Sequence, residues 1–590
     1  MQKKNNSFVT GALIIAVSNL LVKIIGAIYK IPLDGMILKP LGMGIYNSSY
    51  TIYNWLFVVS TAGIPVAISK MVAESQAVGH YSESKKILKV SQSMLFFIGI
   101  ISFIVMFLFA RQFAGMISVE SAYLTMIVMS PSLFFVAIAS SYRGFYQGQQ
   151  NMYPTAISEV IEAFSKLLFG ISLALLLTNF MSEPHLMHKL MSFLAPNSIY
   201  EVNLNNISFQ ELSLIFMKAI NFIPRIKPTD TPEDIENLVT LFKAAIPAAG
   251  AIAGVTIGTF FSLAFLFFYN KLRIRKFNTE IYTAKVSSAS NILKRLVKIA
   301  VPITLGVSVF SLTSVIDMMT VMNLLSGLGF EESLRTTMFG YLGRAVTLFG
   351  FPPTVIQAIA ISVVPAIAGA LAIKNRDEAL KTAKSALRIT VFLAVPCAVI
   401  LSGLSEGILK LLYSDGNYSI LLTIMGVAVL FVTIVQVCNA ILQAWGKVWV
   451  PVINMAVGGV VKIIVNLLLV SQPNININGA PIGTLCCYFT VMALNIWQLK
   501  KVSGIKFEFM DFIIKPMFSA VITLFASVLT YKLLSPGFHI IIAAAASIAV
   551  AGIVYILCIF ITKSLKKEDI ILLPKGEKLA KLLEKFKVIG

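Results

Sequence analysis

Seven ionisable side chains sit where a lipid-facing helix would not tolerate them. Lys23, Glu159, Glu162, Lys166, Asp317, Arg344 and Lys462 lie within or near long apolar runs, and a charge at that depth is costly unless it meets water or a partner. Glu159 and Glu162 share a helix face, and Lys166 follows Glu162 at i+4, the favourable order for an ion pair. Two readings stay open for this trio: an internal salt bridge that lets a helix tolerate its charges, or side chains lining an aqueous cavity. Lys23, Arg344 and Lys462 have no carboxylate at i±3 or i±4. Lys23 could snorkel from a helix end, and Arg344 could anchor a membrane boundary. Taken with Lys30, the surplus positive charge suits a polyanionic headgroup such as phosphate or pyrophosphate and would repel organic cations.

Catalytic chemistry has little support. No P-loop or HExxH is present, and the four histidines (His80, His185, His188, His539) are dispersed, with only His185 and His188 at a weak metal-ligand spacing. The five cysteines (Cys397, Cys438, Cys486, Cys487, Cys558) lie inside apolar runs and read as small core residues. No metal or cofactor is expected. Gly63-Ile64-Pro65 and Pro352-Pro353 interrupt apolar helices, either as hinges or as packing kinks.

The elements that position these residues follow from composition. The chain has 590 residues, 57% hydrophobic and 13% charged, with a mean hydropathy of +0.84; a soluble protein carries roughly 25% charged residues. This is the profile of an all-α polytopic membrane protein. Apolar runs near the ~20 residues that span a bilayer give about fourteen helices at 8–30, 45–69, 90–110, 119–141, 154–178, 240–268, 296–325, 340–366, 383–403, 419–442, 450–470, 480–499, 512–534 and 537–562. In the 180–239 stretch, the run "FQELSLIFMKAINFI" carries Glu211 and Lys218 and reads as interfacial or loop-packed. Thr231-Pro232 then reads as an N-cap and N1 proline.

Alternate loops hold most of the Lys and Arg, which places both termini on the cytoplasmic side. The net charge of +21 is scattered over many short loops. That pattern disfavours nucleic acid and points to anionic lipid headgroups. The C-terminal stretch sets Leu579, Leu582, Leu583 and Phe586 opposite lysines, as a surface-lying amphipathic helix would. Matches such as Gln147 with Gln443 and Lys166 with Lys462 share an offset near 296, suggesting two pseudo-symmetric six-helix lobes around a central cavity. The expected divisions are an N-terminal lobe over 1–270 with an outer-side insertion at 180–239, a basic cytoplasmic linker over 271–295, a C-terminal lobe over 296–500, two further helices over 501–562 and a tail over 563–590.

One stretch narrows this further. "RGFYQGQQNMYPTAISEVIE" (143–162) resembles the signature of the SpoVB/YtgP-type polysaccharide transporters, relatives of MurJ in the MOP exporter superfamily, and "VKIIGAIYKIPL" (22–33), "LGMGIYNSSY" (41–50) and "STAGIPVAISKMVAE" (60–74) agree with it. The resemblance implies a flippase that moves an undecaprenyl-pyrophosphate-linked sugar, lipid II in MurJ-like members, between the leaflets of the bacterial cytoplasmic membrane. It also implies a monomer without a catalytic site, with cell-wall synthesis machinery as a candidate partner.

The family's first-helix arginine and following glycine are matched by Lys23 and Gly26, with lysine substituted. Arg344 corresponds more loosely to a second arginine. Arg143 and Gln147 would lie in a cytoplasmic elbow from 143 to 152, where they either bond phosphate or brace the flanking helices. Coupling to sodium or a proton, or drive by membrane potential alone, is expected; Asp317 and Asn454 are the candidate ion-coupling residues. Other lipid-linked glycans (teichoic acid, capsule, spore cortex) and a MATE-like cation or drug antiporter are the competing functions. A membrane glycosyltransferase would need an acidic pair on an outer loop, which is not found.

Overall fold

The computed structural model describes residues 2–182, 232–274, 287–505 and 514–562. The run carrying Glu211 and Lys218, His185 and His188, most of the expected basic linker and the expected amphipathic tail lie outside the described residues. Among those described the chain is helical, with no strand. Eleven helical stretches are long and apolar enough to cross a membrane, so the chain is a multi-pass membrane protein. One of these stretches, Val17–Gln76, runs for 60 residues, about 90 Å at ~1.5 Å per residue against a hydrocarbon core of ~30 Å. The fourteen crossings expected from sequence are a finer count than these eleven establish.

The chain forms two compact units, Met1–Gly340 and Tyr341–Gly590. In the first, α1 (Gln2–Pro32) leads through a π-helical turn, Leu33–Leu38, into α2 (Lys39–Thr61) and α3 (Ile64–Ala77). Next come α4 (Tyr81–Leu108), the short α5 (Ala110–Met116), α6 (Tyr123–Gly148), α7 (Tyr153–Ser182), α8 (Pro232–Ile274) and α9 (Ala289–Gly327). Prolines at or next to the first position start α2, α3 and α7, where a missing N–H costs nothing. Proline also opens α8 as its first residue, in agreement with the sequence reading.

Helix α8 is the spine of this unit and packs on α7 and α6. Gly250, Gly254 and Gly258 recur every four residues on its α7-facing side. A Cβ at Gly254 would strike the backbone of Gly170, and one at Gly258 the carbonyl of Glu162. In a lipid environment such small-residue seams let backbones approach and gain dispersion contacts. Tyr29, Ile52, Phe242, Met318 and Met322 fill the interior beside this seam.

Helix α9 packs on α2 and α3 of the same unit. The compact division therefore falls inside α10 (Glu332–Phe349), later in the chain than the 271–295 linker expected from sequence.

The second unit contains the C-terminal half of α10, then α11 (Phe351–Ala372), α12 (Arg376–Gly403), α13 (Ser405–Tyr413), α14 (Ser419–Ala444), α15 (Trp449–Leu469), α16 (Gly479–Ser503), α17 (Lys515–Leu534) and α18 (Ile540–Thr562). Helix α14 sits among α11, α12 and α16, with α15 on α16 and α17 on α18. Ile356, Ile367, Leu387, Cys438 and Ile441 form its core.

Both proline-marked breaks occur where the sequence places them. The chain bends at Ala62-Gly63, and α11 starts after Gly350 with Pro352 and Pro353 in its first turn.

Candidate functional site

Three helices of the first unit converge on one guanidinium. Arg143 lies within α6, five residues before its end, so the elbow is shorter than expected and spans only 149–152. Arg143 is held there by two neighbouring helices. Its Nη2 donates to Glu162 Oε2 at 2.7 Å and to Ser262 Oγ at 2.9 Å, and its Nε donates to Ser158 Oγ at 3.1 Å. The ion pair is partly shielded, with side-chain exposures of 14% for Arg143 and 29% for Glu162. Glu159, one turn before Glu162, is half-buried, and its Oε2 is shielded without a hydrogen-bond partner. Gln147 is half-buried one turn beyond Arg143 on α6.

Glu162 is thus bound to Arg143 rather than to Lys166, which corrects the i,i+4 salt-bridge reading. Lys166 is instead half-buried in a cage of rings. Its Nζ lies 5.0 Å from the centroids of Tyr29 and Tyr50 and 5.9 Å from that of Tyr46. A shielded ammonium over an aromatic face is stabilised by roughly 2 kcal/mol. The cage is itself fixed: Tyr29 Oη donates to the Ala251 carbonyl at 2.9 Å, and Tyr46 stacks on Tyr50 with centroids 5.9 Å apart.

Lys30, half-buried on α1, is within electrostatic reach of Lys166, Lys23 and Asp34. Lys23, two turns earlier on α1, is exposed. Asp317, on α9 of this unit, is half-buried. Gly63 is buried, Pro65 half-buried, and the Gly63 N–H donates to Thr304 Oγ1 at 3.0 Å.

The second unit holds the other candidates. Arg344 is only 2% exposed; its Nη1 donates to Asp415 Oδ2 at 2.8 Å, and its guanidinium lies 4.9 Å and 4.7 Å from the Tyr341 and Tyr413 ring centroids. It is a closed cluster with its counter-charge supplied by a loop acid. Asn454 Nδ2 donates to Asn495 Oδ1 at 2.8 Å, and Asn495 Nδ2 to Asn439 Oδ1 at 2.7 Å, so an amide chain links α15, α16 and α14. Lys462 is half-buried on α15, two turns past Asn454. Among the described residues no group of three His, Cys, Asp or Glu side chains could hold a metal ion.

Several partners were missed in the sequence. Ser158 lies inside the 143–162 signature and could have been paired with Arg143 on that ground. Ser262, the caging tyrosines and Asn495 carry no spacing signal, because they arrive from other helices.

Comparison with known proteins places this arrangement. Residues 8–200 match the family described as Polysaccharide biosynthesis protein. Three proteins of Bacillus subtilis (strain 168) are similar. "Uncharacterized membrane protein YabM" is 24% identical over 98% of this chain and 96% of its own, and "Stage V sporulation protein B" is 22% identical over 96% and 98%. "Lipid II flippase MurJ" is 22% identical over 85% and 84%. A solved structure of lipid II flippase MurJ in an inward closed conformation superposes with a TM-score of 0.62 at 15% identity, covering 92% of this chain and 97% of that one. The chain shares the fold of that structure. An inward-facing MATE family multidrug transporter of the MOP superfamily shares it, with a TM-score of 0.57 at 11% identity over 83% of this chain and 98% of that one. Within this fold, the Arg143–Glu162 cluster and the Lys166 cage both belong to the first unit.

Proposed function

We propose that this chain is a flippase carrying an undecaprenyl-pyrophosphate-linked glycan, with the peptidoglycan precursor lipid II as substrate, from the inner to the outer leaflet by alternating access. The observation that carries the proposal is the placement of Lys166. It stands over three tyrosines with no carboxylate paired to it, within electrostatic reach of Lys30, which in turn senses Lys23. Asp34 lies within reach of Lys30, but Lys166 has no paired carboxylate among the described residues; a cluster with such a surplus of ammonium groups is suited to a diphosphate, and each offers three donors. The name of the MurJ relative supports the choice of lipid II. In this reading the protein works as a monomer in the bacterial cytoplasmic membrane with both termini inside. Anionic lipids surround it, and sodium, a proton or the membrane potential supplies the drive, with Asp317 and Asn454 as coupling candidates.

The sporulation relative favours a second substrate of the same chemistry, another lipid-linked polysaccharide. The MATE-like reading is weaker, because a site for organic cations would want surplus carboxylates, whereas Glu162 is already neutralised by Arg143. Replacing the flippase of a cell with this chain and measuring lipid II at the outer leaflet tests the proposal. Restored accessibility supports it. Loss of accessibility with the protein present at normal level removes lipid II as the substrate.

A further inference from the structure

Four helices of the first unit build the surroundings of one ammonium group. Tyr29 from α1 and Tyr46 and Tyr50 from α2 place their ring centroids 5.0, 5.9 and 5.0 Å from Lys166 Nζ on α7. A glycine makes room for the first ring: Gly170 stands one turn past Lys166, and a Cβ there would lie 2.9 Å from both Cε2 and Oη of Tyr29. Helix α8 ties that ring down, because the Ala251 carbonyl accepts from Tyr29 Oη at 2.9 Å. Tyr29 and Tyr46 are buried, whereas Tyr50 and Lys166 are half-buried. The buried rings back the ammonium, and the cluster reaches the surface where Tyr50 and Lys166 emerge.

The rings hold the charge without using it up. Among the described residues Lys166 makes no ion pair and no hydrogen bond. A carboxylate in the place of the rings would cancel the charge and occupy N–H donors. A ring face attracts the ammonium through its quadrupole and leaves those donors for a ligand. Lys30 is within electrostatic reach of Lys166, and like charges push flexible side chains apart. The cage keeps Lys166 in place against that repulsion.

We propose that Tyr29, Tyr46 and Tyr50 are positioning residues that hold Lys166 near Lys30, so that the two ammonium groups engage two phosphates and the site takes a polyprenyl diphosphate in preference to the monophosphate. The inference rests on the flippase reading for the ligand and goes beyond it by assigning headgroup selectivity to three uncharged side chains. A monophosphate engages one ammonium at a time, and a lysine free to move would follow it at little cost. Discrimination between the two headgroups therefore depends on an ammonium fixed before the ligand arrives.

Native mass spectrometry of the full-length protein released from lipid nanodiscs tests this, by the bound ratio of undecaprenyl diphosphate to undecaprenyl monophosphate. Tyr50 is the ring to change, because Tyr29 and Tyr46 belong to the core and Tyr50 only packs against it. The parent is expected to favour the diphosphate. Tyr50→Leu lowers that preference about three- to fivefold, one ring's share of the attraction, and Tyr50→Phe, which keeps a ring, recovers most of it. In a Lys166→Ala background the preference is already low, and Tyr50→Leu changes nothing further, since the ring acts only through the ammonium. The inference is overturned if Tyr50→Leu leaves or raises the preference, or if Tyr50→Phe is as impaired as Tyr50→Leu. It is equally overturned if Tyr50→Leu has the same effect in both backgrounds, as loosened packing would, or if the parent binds the two lipids alike. A parent that takes up no diphosphate lipid removes the flippase reading, and this inference with it.

Discussion

Glu162→Ala removes the carboxylate 2.7 Å from the Arg143 guanidinium and leaves the bonds to Ser158 and Ser262 in place. Stripping one partner from a fully buried ion pair costs about 3–5 kcal/mol, because the remaining charge stays desolvated. Here the pair is shielded incompletely, at 14% and 29% exposure, and solvent screening reduces that to roughly 2–3 kcal/mol. For a unit of this size 1 kcal/mol moves the midpoint by about 2–4 °C, so the loss is roughly 4–12 °C. Thermal unfolding of the detergent-solubilised protein, followed by tryptophan emission or by aggregation of labelled protein, reads it directly. Glu162→Gln keeps an acceptor and loses less. Arg143→Met with Glu162→Leu, which removes both charges, recovers most of the loss. A midpoint for Glu162→Ala within about 1 °C of the parent, or a double variant as unstable as the two singles added, would refute the pairing as the support of α6 on α7.

The remaining expectations are independent of that pair. Lys23→Ala and Lys166→Ala each abolish complementation at normal protein level, whereas Lys23→Arg and Lys166→Arg retain part of it; growth with full function in either alanine variant assigns that lysine to anchoring. Asp415→Ala leaves the enclosed Arg344 without its counter-charge and lowers stability by about 2–3 kcal/mol in the second unit, measured by denaturant midpoint, with Asp415→Glu in between. Gly254→Val drives side-chain atoms into the Gly170 backbone and sharply reduces folded, monodisperse yield, while Gly115→Ala, which meets only open space, is silent in the same chromatogram. Burial pushes the Glu332 carboxyl above its ordinary range, against the pull of Ser121 and Arg335. Its contribution is therefore fully present below the ordinary carboxylate value and is lost as pH rises through the raised one. Glu332→Gln should flatten that segment of the stability profile.

How much of this was legible in the sequence depended on the range of the interaction. The breaks at Gly63–Pro65 and Gly350–Pro353 were readable because proline acts on its own backbone and its immediate predecessor. Membrane class was readable because hydropathy sums over twenty residues at a time. Glu162 was misjudged because spacing along one helix sees only i+3 and i+4 neighbours, and its partner Arg143 arrives from the preceding helix across a turn. Arg143 itself was placed in an elbow since an arginine beside glycines reads as a loop; three acceptors from two other helices let α6 keep it. Asp415 carries no spacing signal that pairs it with Arg344, because it arrives from the loop between α13 and α14. The row Gly250, Gly254 and Gly258 was present in the sequence as a repeated four-residue spacing, and it marks the α7–α8 seam that sets Glu159, Glu162 and Lys166 in place.

Reconstituted flipping tests the central claim most directly. The purified protein is placed in vesicles with a fluorescent undecaprenyl-pyrophosphate-linked glycan in both leaflets, and a membrane-impermeant quencher is added outside. The account predicts that the quenched fraction climbs past that of protein-free vesicles as inner-leaflet substrate is carried out, and that Lys166→Ala slows the climb while undecaprenol without a phosphate is not carried. Quenching that stops at the protein-free value, or an alanine variant that runs at the parent rate, would contradict a cationic site that carries the diphosphate.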